Sequence, residues 1–511
     1  MVGLGIESVL AQSSRLISIG DPVYHAIQQL QRRGHLLSLH PTAQPYSERE
    51  VFDALEQMDM SSLGSAEQGW ISLLRQRITR PTTKAEPPTV TAGASLQAGG
   101  RLANSERLDM LRPLDGSTIA PNAAASGWMN YGRWTAQGHL QFDRYYDTDP
   151  DGLDVVRRLY IRSEEAYIGY QHPFGQVYFG RFRQHWSGIA QPGGLLSSNP
   201  RAFDQLTFKM GTEKLALRST IGELDMLGPE GSFIERNRFM EGGKRRWLSL
   251  HRLDWRPTNN WAVTLMEGVL YSGTNAGLSL NYANPFHVLS FVSDNDPKNY
   301  ENNLMLGAMI WGYQQGWTFS AQVVIDDFIH TNRQQMADEG YLEPLSTSIM
   351  TSIYKSNLIA GLGIGLEGEL VSSQVYHTDQ TEGQWTYAQR GLATNFSDYI
   401  HLRGFVDYQA DAWLSGLQLT PGIDLLWQGE QDIRKELQNY TVDFVLIGQP
   451  EFTVRPSIIA RFQNDHRWWA ELDLGLNFIQ HENHQVNAST VEPLVQVSVK
   501  GRLRGEWILS R

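Results

Sequence analysis

The 511 residues include no cysteine. That absence excludes disulfides, cysteine–zinc sites and thiol nucleophiles, and with them the small secreted scaffolds that depend on cross-links. Charged residues are also sparse, at 19%, and the formal net charge is −12. A general nucleic-acid role therefore has no electrostatic support, and no nucleic-acid partner is expected. No run of about 18 apolar residues occurs, so no transmembrane helix is expected. A membrane β-barrel is untouched by that test, because it crosses lipid with short alternating segments. What the chain does have is 47 glycines and 15 tryptophans, with 41% hydrophobic residues overall.

Residues 1–19 read as a truncated signal peptide or a flexible terminus. Val9-Leu10-Ala11-Gln12 resembles the end of an export signal, but a basic leading segment is missing and Glu7 interrupts the apolar run. Residues 20–85 read as a helical domain. Asp21-Pro22 opens a helix carrying Val23, Ile27 and Leu30, which Gly34 ends. Ser47-x-x-Glu50 is a capping box, and Ser65-x-x-Gln68 offers a second. So short a segment buries little by itself and is expected to rest on the remainder. Thr82 to Pro88 reads as a linker.

From residue 86 to 511 the apolar period changes from about 3.6 to 2. Trp468, Ala470, Leu472, Leu474, Leu476 and Phe478 alternate with Glu471, Asp473 and Asn477. Val495, Val497, Val499, Leu503 and Trp507 alternate with Lys500, Arg502, Arg504 and Glu506. Phe319, Ala321 and Val323 oppose Ser320 and Gln322, and Ile364 and Leu366 oppose Glu367 and Glu369. These segments outrun the five or six residues usual in soluble sheets. Trp317, Trp413, Trp427, Trp468 and Trp507 stand at the ends of apolar faces, where amphipathic rings suit a membrane interface.

Backbone polar groups in lipid must pair internally, so such strands must close on themselves. About eighteen strands can be counted. Tight turns are expected at Thr135–Gly138, His172–Gly175, Gly211–Lys214, Pro257–Asn260, Gln314–Gly316 and Asn464–His466. Longer segments alternate with them at 103–120, 147–161, 184–200, 224–243, 273–301, 328–344, 374–397, 430–450 and 481–489. That rhythm is the one an outer-membrane barrel requires, with short turns in the periplasm and long loops outside. The predicted fold class is an all-β transmembrane barrel of about 18 antiparallel strands with a small N-terminal helical domain on the periplasmic side.

No catalytic constellation is present: no Gly-x-Ser-x-Gly, no phosphate loop, no His-Glu-x-x-His. An enzyme is not expected. His481 and His484 read as solvated loop histidines, and the inward charges Glu367, Glu369, Glu471, Asp473, Lys500, Arg502 and Arg504 as the polar filling of a barrel interior. Polysaccharide binding needs flat rings for sugar faces and planar hydrogen-bonding groups for hydroxyls and acids. The long loops carry such candidates in Trp186, Asn199 and Arg201, and in Tyr271, Asn275, Tyr282, Asn284 and Phe286.

A further candidate follows the pair Tyr145-Tyr146. Asp147, Asp149, Asp151 and Asp154 surround Gly152 as alternating oxygens do at the start of a calcium loop. A full loop of that kind needs a glutamate where Arg158 stands, and Pro150 stiffens the run. Calcium completed by other loops and an acidic, solvated loop are both open readings; no other cofactor is expected.

Several segments resemble the capsule assembly protein Wzi family. They are Asp21-Pro22 through Arg32-Arg33-Gly34, the helix start Tyr46-Ser47-Glu48-Arg49-Glu50, and residues 180–200. In that last segment Trp186-Ser187-Gly188 stands where the family has a Trp-Gly-like turn. The hairpin over 245–272, with His251-Arg252-Leu253 before a Pro turn, and Tyr282-Ala283-Asn284-Pro285 complete the set. The resemblance implies an eighteen-stranded outer-membrane barrel with helices at the periplasmic end. It implies a surface lectin that holds capsular polysaccharide or exopolysaccharide, with outer-membrane lipid and lipopolysaccharide as surroundings. The polar inner faces leave a second function open, a porin-like diffusion channel for small solutes or sugars.

Overall fold

A computed structural model describes residues 14–60, 63–78, 90–104, 107, 110–111, 118–144, 161–232, 241–295, 300–326, 346–359, 361–434, 444–463 and 465–509. Eighteen strands form one sheet. Each pairs antiparallel with its successor in the chain, and Ser489–Leu509 pairs with Val90–Ala103 from Val90↔Leu509 to Ala103↔Gln496. The sheet is thus a closed barrel with no free edge. Among the described residues no helix is long and apolar enough to cross a membrane.

The alternation read from the sequence sorts the wall as expected. On Ser489–Leu509, Val495, Val497, Val499, Leu503 and Trp507 are exposed on the outside, while Lys500, Arg502 and Arg504 point into the lumen. The outward face stays apolar to within a residue of the loop ends of neighbouring strands, at Leu102 and Ile119. Exposed rings at the short-turn rim (Tyr131, Trp134, Trp255, Trp317, Trp468, Trp507) form one girdle. At the loop end, Trp427 stacks on Phe452 with ring centroids 4.7 Å apart.

One turn lies elsewhere than expected. The chain reverses at Gly132-Arg133, and Thr135–Gly138 belongs to the strand Trp134–Asp143. Gly132 has φ +56, a left-handed conformation that glycine takes without strain. Turns also occur between Ile359 and Leu362 and between Gln409 and Leu417, positions that carried no strong turn signal.

Three helices precede the barrel: α1 (Val23–Arg32), α2 (Glu48–Glu56) and α3 (Ser65–Arg77). The Ser47 capping box forms: Glu50 N donates to Ser47 Oγ at 3.2 Å and Ser47 N to Glu50 Oε2 at 2.9 Å. Asp21 receives Val23 N at 3.2 Å, so its carboxylate serves the start of α1 across Pro22. The second expected box does not form. Gly64 is the N-cap of α3, and Gln68 Nε2 donates to the Leu63 carbonyl at 3.1 Å. The helices share a core of Ile17, Ile27, Leu30, Val51, Leu55 and Leu74. They sit inside the barrel at its short-turn end, as the contacts below show.

Candidate functional site in the barrel lumen

Eighteen strands enclose more space than wall side chains fill, so an interior of this size holds water, a channel or inserted chain. Here inserted chain occupies it in two layers. The lower layer is the helical segment, which the wall grips on several sides. Tyr167 Oη accepts from Leu16 N at 2.8 Å, and Tyr178 Oη donates to the Ser14 carbonyl at 2.7 Å. Lys209 pairs with Glu50 at 2.9 Å. Arg252 donates to both the Thr42 carbonyl and its Oγ1 at 2.7 Å, while its Nε holds Asp254 at 2.8 Å. Arg32, on α1, pairs with Asp407 at 3.1 Å and lies over the Tyr354 ring, 4.2 Å from its centroid. Gly34, with φ +86, lets the chain leave α1 against Tyr313; a Cβ there would sit 2.4 Å from the tyrosine oxygen.

The most charged contact joins the plug to the last strand. Asp21 meets Arg77 at 2.9 Å and Arg502 at 3.0 Å. Glu48 pairs with Arg15, with Arg77 at 3.2 Å and with Arg504 at 3.8 Å. Arg15 and Arg504 both lie over the Trp128 ring, at 4.0 and 5.0 Å. Burial opposes ionisation of Glu48, but Arg15, Arg504 and Arg77 outweigh it and hold the carboxyl down at about 2.

The upper layer is a plate built by the segments between Phe182 and Phe203 and between Val371 and Tyr399. Trp186, Leu195, Tyr376, Trp385 and Leu392 are buried against inward wall residues that include Leu250, Met266, Met309 and Val324. Trp385 Nε1 donates to the Leu195 carbonyl at 2.8 Å, Tyr376 Oη to the Gly194 carbonyl at 2.6 Å, and Ser197 N to the Leu392 carbonyl at 2.8 Å. Arg246 secures the second segment through the Glu382 carbonyl at 2.9 Å and the Gln384 carbonyl at 2.5 Å, while Asp225 holds its guanidinium at 2.8 Å. Asn395 Nδ2 reaches the Leu111 carbonyl at 3.0 Å, which ties in the first long connection as well.

Plug and plate meet through several contacts: Gln28 Nε2 donates to the Ile189 carbonyl, and Arg183 donates to the Ile19 carbonyl at 3.2 Å. Gln44 N donates to the His185 carbonyl and His185 N to the Gln44 carbonyl, each at 3.0 Å. The His185 ring lies 3.1 Å from Ser198 N through Nδ1 and 3.0 Å from the Gly188 carbonyl through Nε2. Nδ1 must accept there, so the neutral ring is the form that fits. Burial pushes its pKa down to about 4 against the opposing Gly188 carbonyl. A base depressed below its unfolded value near 6.5 contributes stability that is present above that value and lost as pH falls toward about 4. Protection of residues 14–78 against hydrogen exchange, taken relative to the intrinsic rate at each pH, should therefore fall between pH 6.5 and 4. A His185→Asn variant should show a shallower dependence, with the remainder coming from His40 and His25, which burial also depresses, to about 4 and about 3.

Among the described residues, cavities remain beside the plug. One of about 180 Å³ lies against the first and last strands and is lined by Arg183, Lys500, Arg502, Glu164, Glu165 and Trp128, among others. Another, of about 190 Å³, lies between His25, Trp70, Arg461, Phe462 and Glu471. His401 bridges Glu369 and Asp424 at 3.0 Å on each side, and Glu471 pairs with Arg461 at 2.6 Å, so these inward charges tie strands together.

The expected glycan-binding residues fall into different places. Trp186 is 1% exposed and belongs to the plate. Asn199 spends its amide on the Gly391 carbonyl at 2.8 Å and Asn395 Oδ1 at 2.6 Å. Arg201 is half-buried beside the strand Phe203–Gly211. Tyr271 and Tyr282 are buried and stack at 4.7 Å, on the outside of the wall. Asn275 and Phe286 are exposed and Asn284 is half-buried. Asp147, Asp149, Asp151 and Asp154 lie outside the described residues. Among the described residues no group of three or more His, Asp or Glu is placed to hold a metal. His481 Nδ1 contacts Gln449 Nε2 at 2.7 Å and His484 Nδ1 the Gln449 carbonyl at 2.9 Å. The wall-to-plug ion pairs escaped sequence reasoning; their only trace was the arginines on otherwise amphipathic helices.

Among solved structures, this architecture matches Wzi, titled an outer membrane protein involved in group 1 capsule assembly in Escherichia coli and a carbohydrate-binding β-barrel. The match covers 96% of this chain and 99% of that one, with a TM-score of 0.61 at 11% identity. The fold is that of an outer-membrane β-barrel. OccK3 (OpdO) of Pseudomonas aeruginosa matches 81% of this chain and 96% of its own, at 10% identity and a TM-score of 0.47. OccAB4 of Acinetobacter baumannii matches 82% and 98%, at 8% identity and a TM-score of 0.45. At such identities the likeness is one of fold. No family model matches the chain, and no curated protein matches it.

Proposed function

We propose that this chain is a non-enzymatic outer-membrane barrel that retains capsular polysaccharide or exopolysaccharide at the cell surface, with residues 14–78 at the periplasmic mouth. The observation that carries the reading is the filled interior: a plug fixed by buried ion pairs below, and an apolar plate centred on Trp385 above. A barrel so filled works from its loops. The similarity to Wzi, a carbohydrate-binding β-barrel involved in capsule assembly, supports the same reading. Arg201, at the loop end of its strand, suits the carboxylates of acidic sugars because a guanidinium binds them through two parallel hydrogen bonds.

The test is binding of the cell's own surface polysaccharide to the purified protein in detergent. Saturable binding, together with loss of surface polysaccharide from cells lacking the protein, is the expected result. No affinity, with capsule retained by those cells, would remove the role.

A second reading, a diffusion channel, rests on the polar cavity of about 180 Å³ lined by Arg183, Lys500 and Arg502. It requires that cavity to continue through both layers, which steady conductance would reveal.

A further inference from the structure

On most of the wall the outward residues are exposed apolar side chains. One sector departs from this. Along the hairpin of Arg245–Thr258 and Trp261–Gly273, Trp255, Leu253 and Leu265 are exposed, at 53, 41 and 57%. The next outward positions toward the loop end are His251 and Ser249 on one strand and Glu267, Val269 and Tyr271 on the other; Glu267 is half-buried, and His251, Ser249, Val269 and Tyr271 are 5, 0, 0 and 0% exposed. His251 and Glu267 are cross-strand partners on this outer face, with Nδ1 and Oε1 3.0 Å apart. A polar pair here, midway between Trp255 and Trp247, would be costly against hydrocarbon.

The chain after Gly273 folds back over this sector. Ser249 Oγ donates to the Tyr282 carbonyl at 2.5 Å, and Leu289 N donates to Glu267 Oε2 at 2.9 Å. Tyr271 stacks on Tyr282 and donates to the Gly277 carbonyl at 3.1 Å. Ser249 and Glu267 of the wall are thus bonded by the covering segment, which also buries the His251 ring. Glu267 lies six positions below the strand end at Gly273. That is roughly 20 Å along a strand and about 15 Å across the membrane at the usual tilt, within an apolar band about 25 Å tall.

The covering segment turns apolar side chains outward in its turn. Leu278, Leu280, Phe286, Val288 and Phe291 are 57, 80, 72, 45 and 64% exposed. This surface continues the exposed belt of Leu253 and Leu265 below it on the same hairpin.

We propose that residues 274–295 form a flap seated against the outside of the barrel within the outer leaflet, where its apolar ridge contacts lipid acyl chains. Its inner side bonds Glu267 and shields the His251–Glu267 pair from hydrocarbon, and its outer side restores the lipid-facing surface. Acyl chains are the favoured occupant because the ridge is continuous with the wall that faces lipid. The proposal rests on the membrane reading, and the test separates the two.

The absence of cysteine makes the full chain ready for single nitroxide labels. Leu280→Cys and Phe291→Cys, reconstituted in phospholipid vesicles, are compared with Leu265→Cys on the wall and Glu213→Cys in a short turn. Collision with oxygen and with a water-soluble nickel chelate is measured for each. The flap labels should be shifted toward oxygen as far as Leu265→Cys. If they match Glu213→Cys, the flap faces water and the proposal falls. If they collide with neither reagent, a second copy or another protein covers the ridge, and it falls as well. If Leu265→Cys itself favours the nickel reagent, the membrane reading fails with it.

Discussion

Glu48→Ala should release the helical plug while leaving the barrel intact. Glu48 is 1% exposed and meets Arg15, Arg77 and Arg504. Its removal leaves three clustered guanidiniums with Asp21 and Glu506 as the nearby acids. Breaking a buried pair by deleting one partner costs about 3–5 kcal/mol, because the remaining charge stays buried. Opening of the plug should therefore become more frequent by about two to four orders of magnitude, and trypsin cleavage after Arg32 and Arg33 should accelerate accordingly. The strands should keep their hydrogen-exchange protection. The same effect should follow acid in the wild type. The Glu48 carboxyl is depressed to about 2, so its contribution is present above the unfolded value near 4.3 and lost as pH falls toward 2. Unchanged cleavage in the variant would mean that the ion cluster does not hold the plug.

Trp385→Ala should loosen the plate by a similar amount for a different reason. The indole is fully buried, and a Cβ built on Gly268 would lie 2.9 Å from its ring, so the wall beneath it is already at contact distance. Truncating a buried Trp to Ala costs about 3–5 kcal/mol through the cavity it leaves. The Leu195 carbonyl also loses its donor. Amide exchange in the segments 183–202 and 372–398 should rise by about two to four orders of magnitude. Exchange in the wall strands and over 14–78 should change little, since the hydrogen bonds between plug and plate run through Gln44–His185, Gln28–Ile189 and Ile19–Arg183 rather than through Trp385. Equal acceleration in all three regions would instead make the interior a single cooperative unit.

These two sites differ in how they could be read from the letters. The wall was legible: period-two alternation in Trp468–Phe478 and Val495–Trp507 states which side meets lipid, and the long and short connections state the strand order. The lumen was not. Arg77 and Arg32 sit on helices whose apolar stripe shows only that one side is buried. Nothing local says that the other side meets Asp21, Asp407 and Arg502. Trp186 reads as a ring available to a sugar because a loop has no period to mark a buried side; in the structure it fills the plate. Tyr271 and Tyr282 are near in sequence, but their stacking on the outside of the wall depends on the whole segment folding back. Thr135–Gly138 looked like a turn because it ends in glycine, while Gly132 two residues before the strand supplied the left-handed position the reversal uses.

A filled barrel that acts through its loops makes one electrical prediction, and planar-bilayer recording of the intact protein tests it. Insertion should be followed by no steady conductance, with closure maintained at neutral pH by the ion pairs of Asp21 and Glu48 and by the plate around Trp385. A stable ohmic pore of reproducible size from the intact chain would contradict the account and assign the barrel to solute passage.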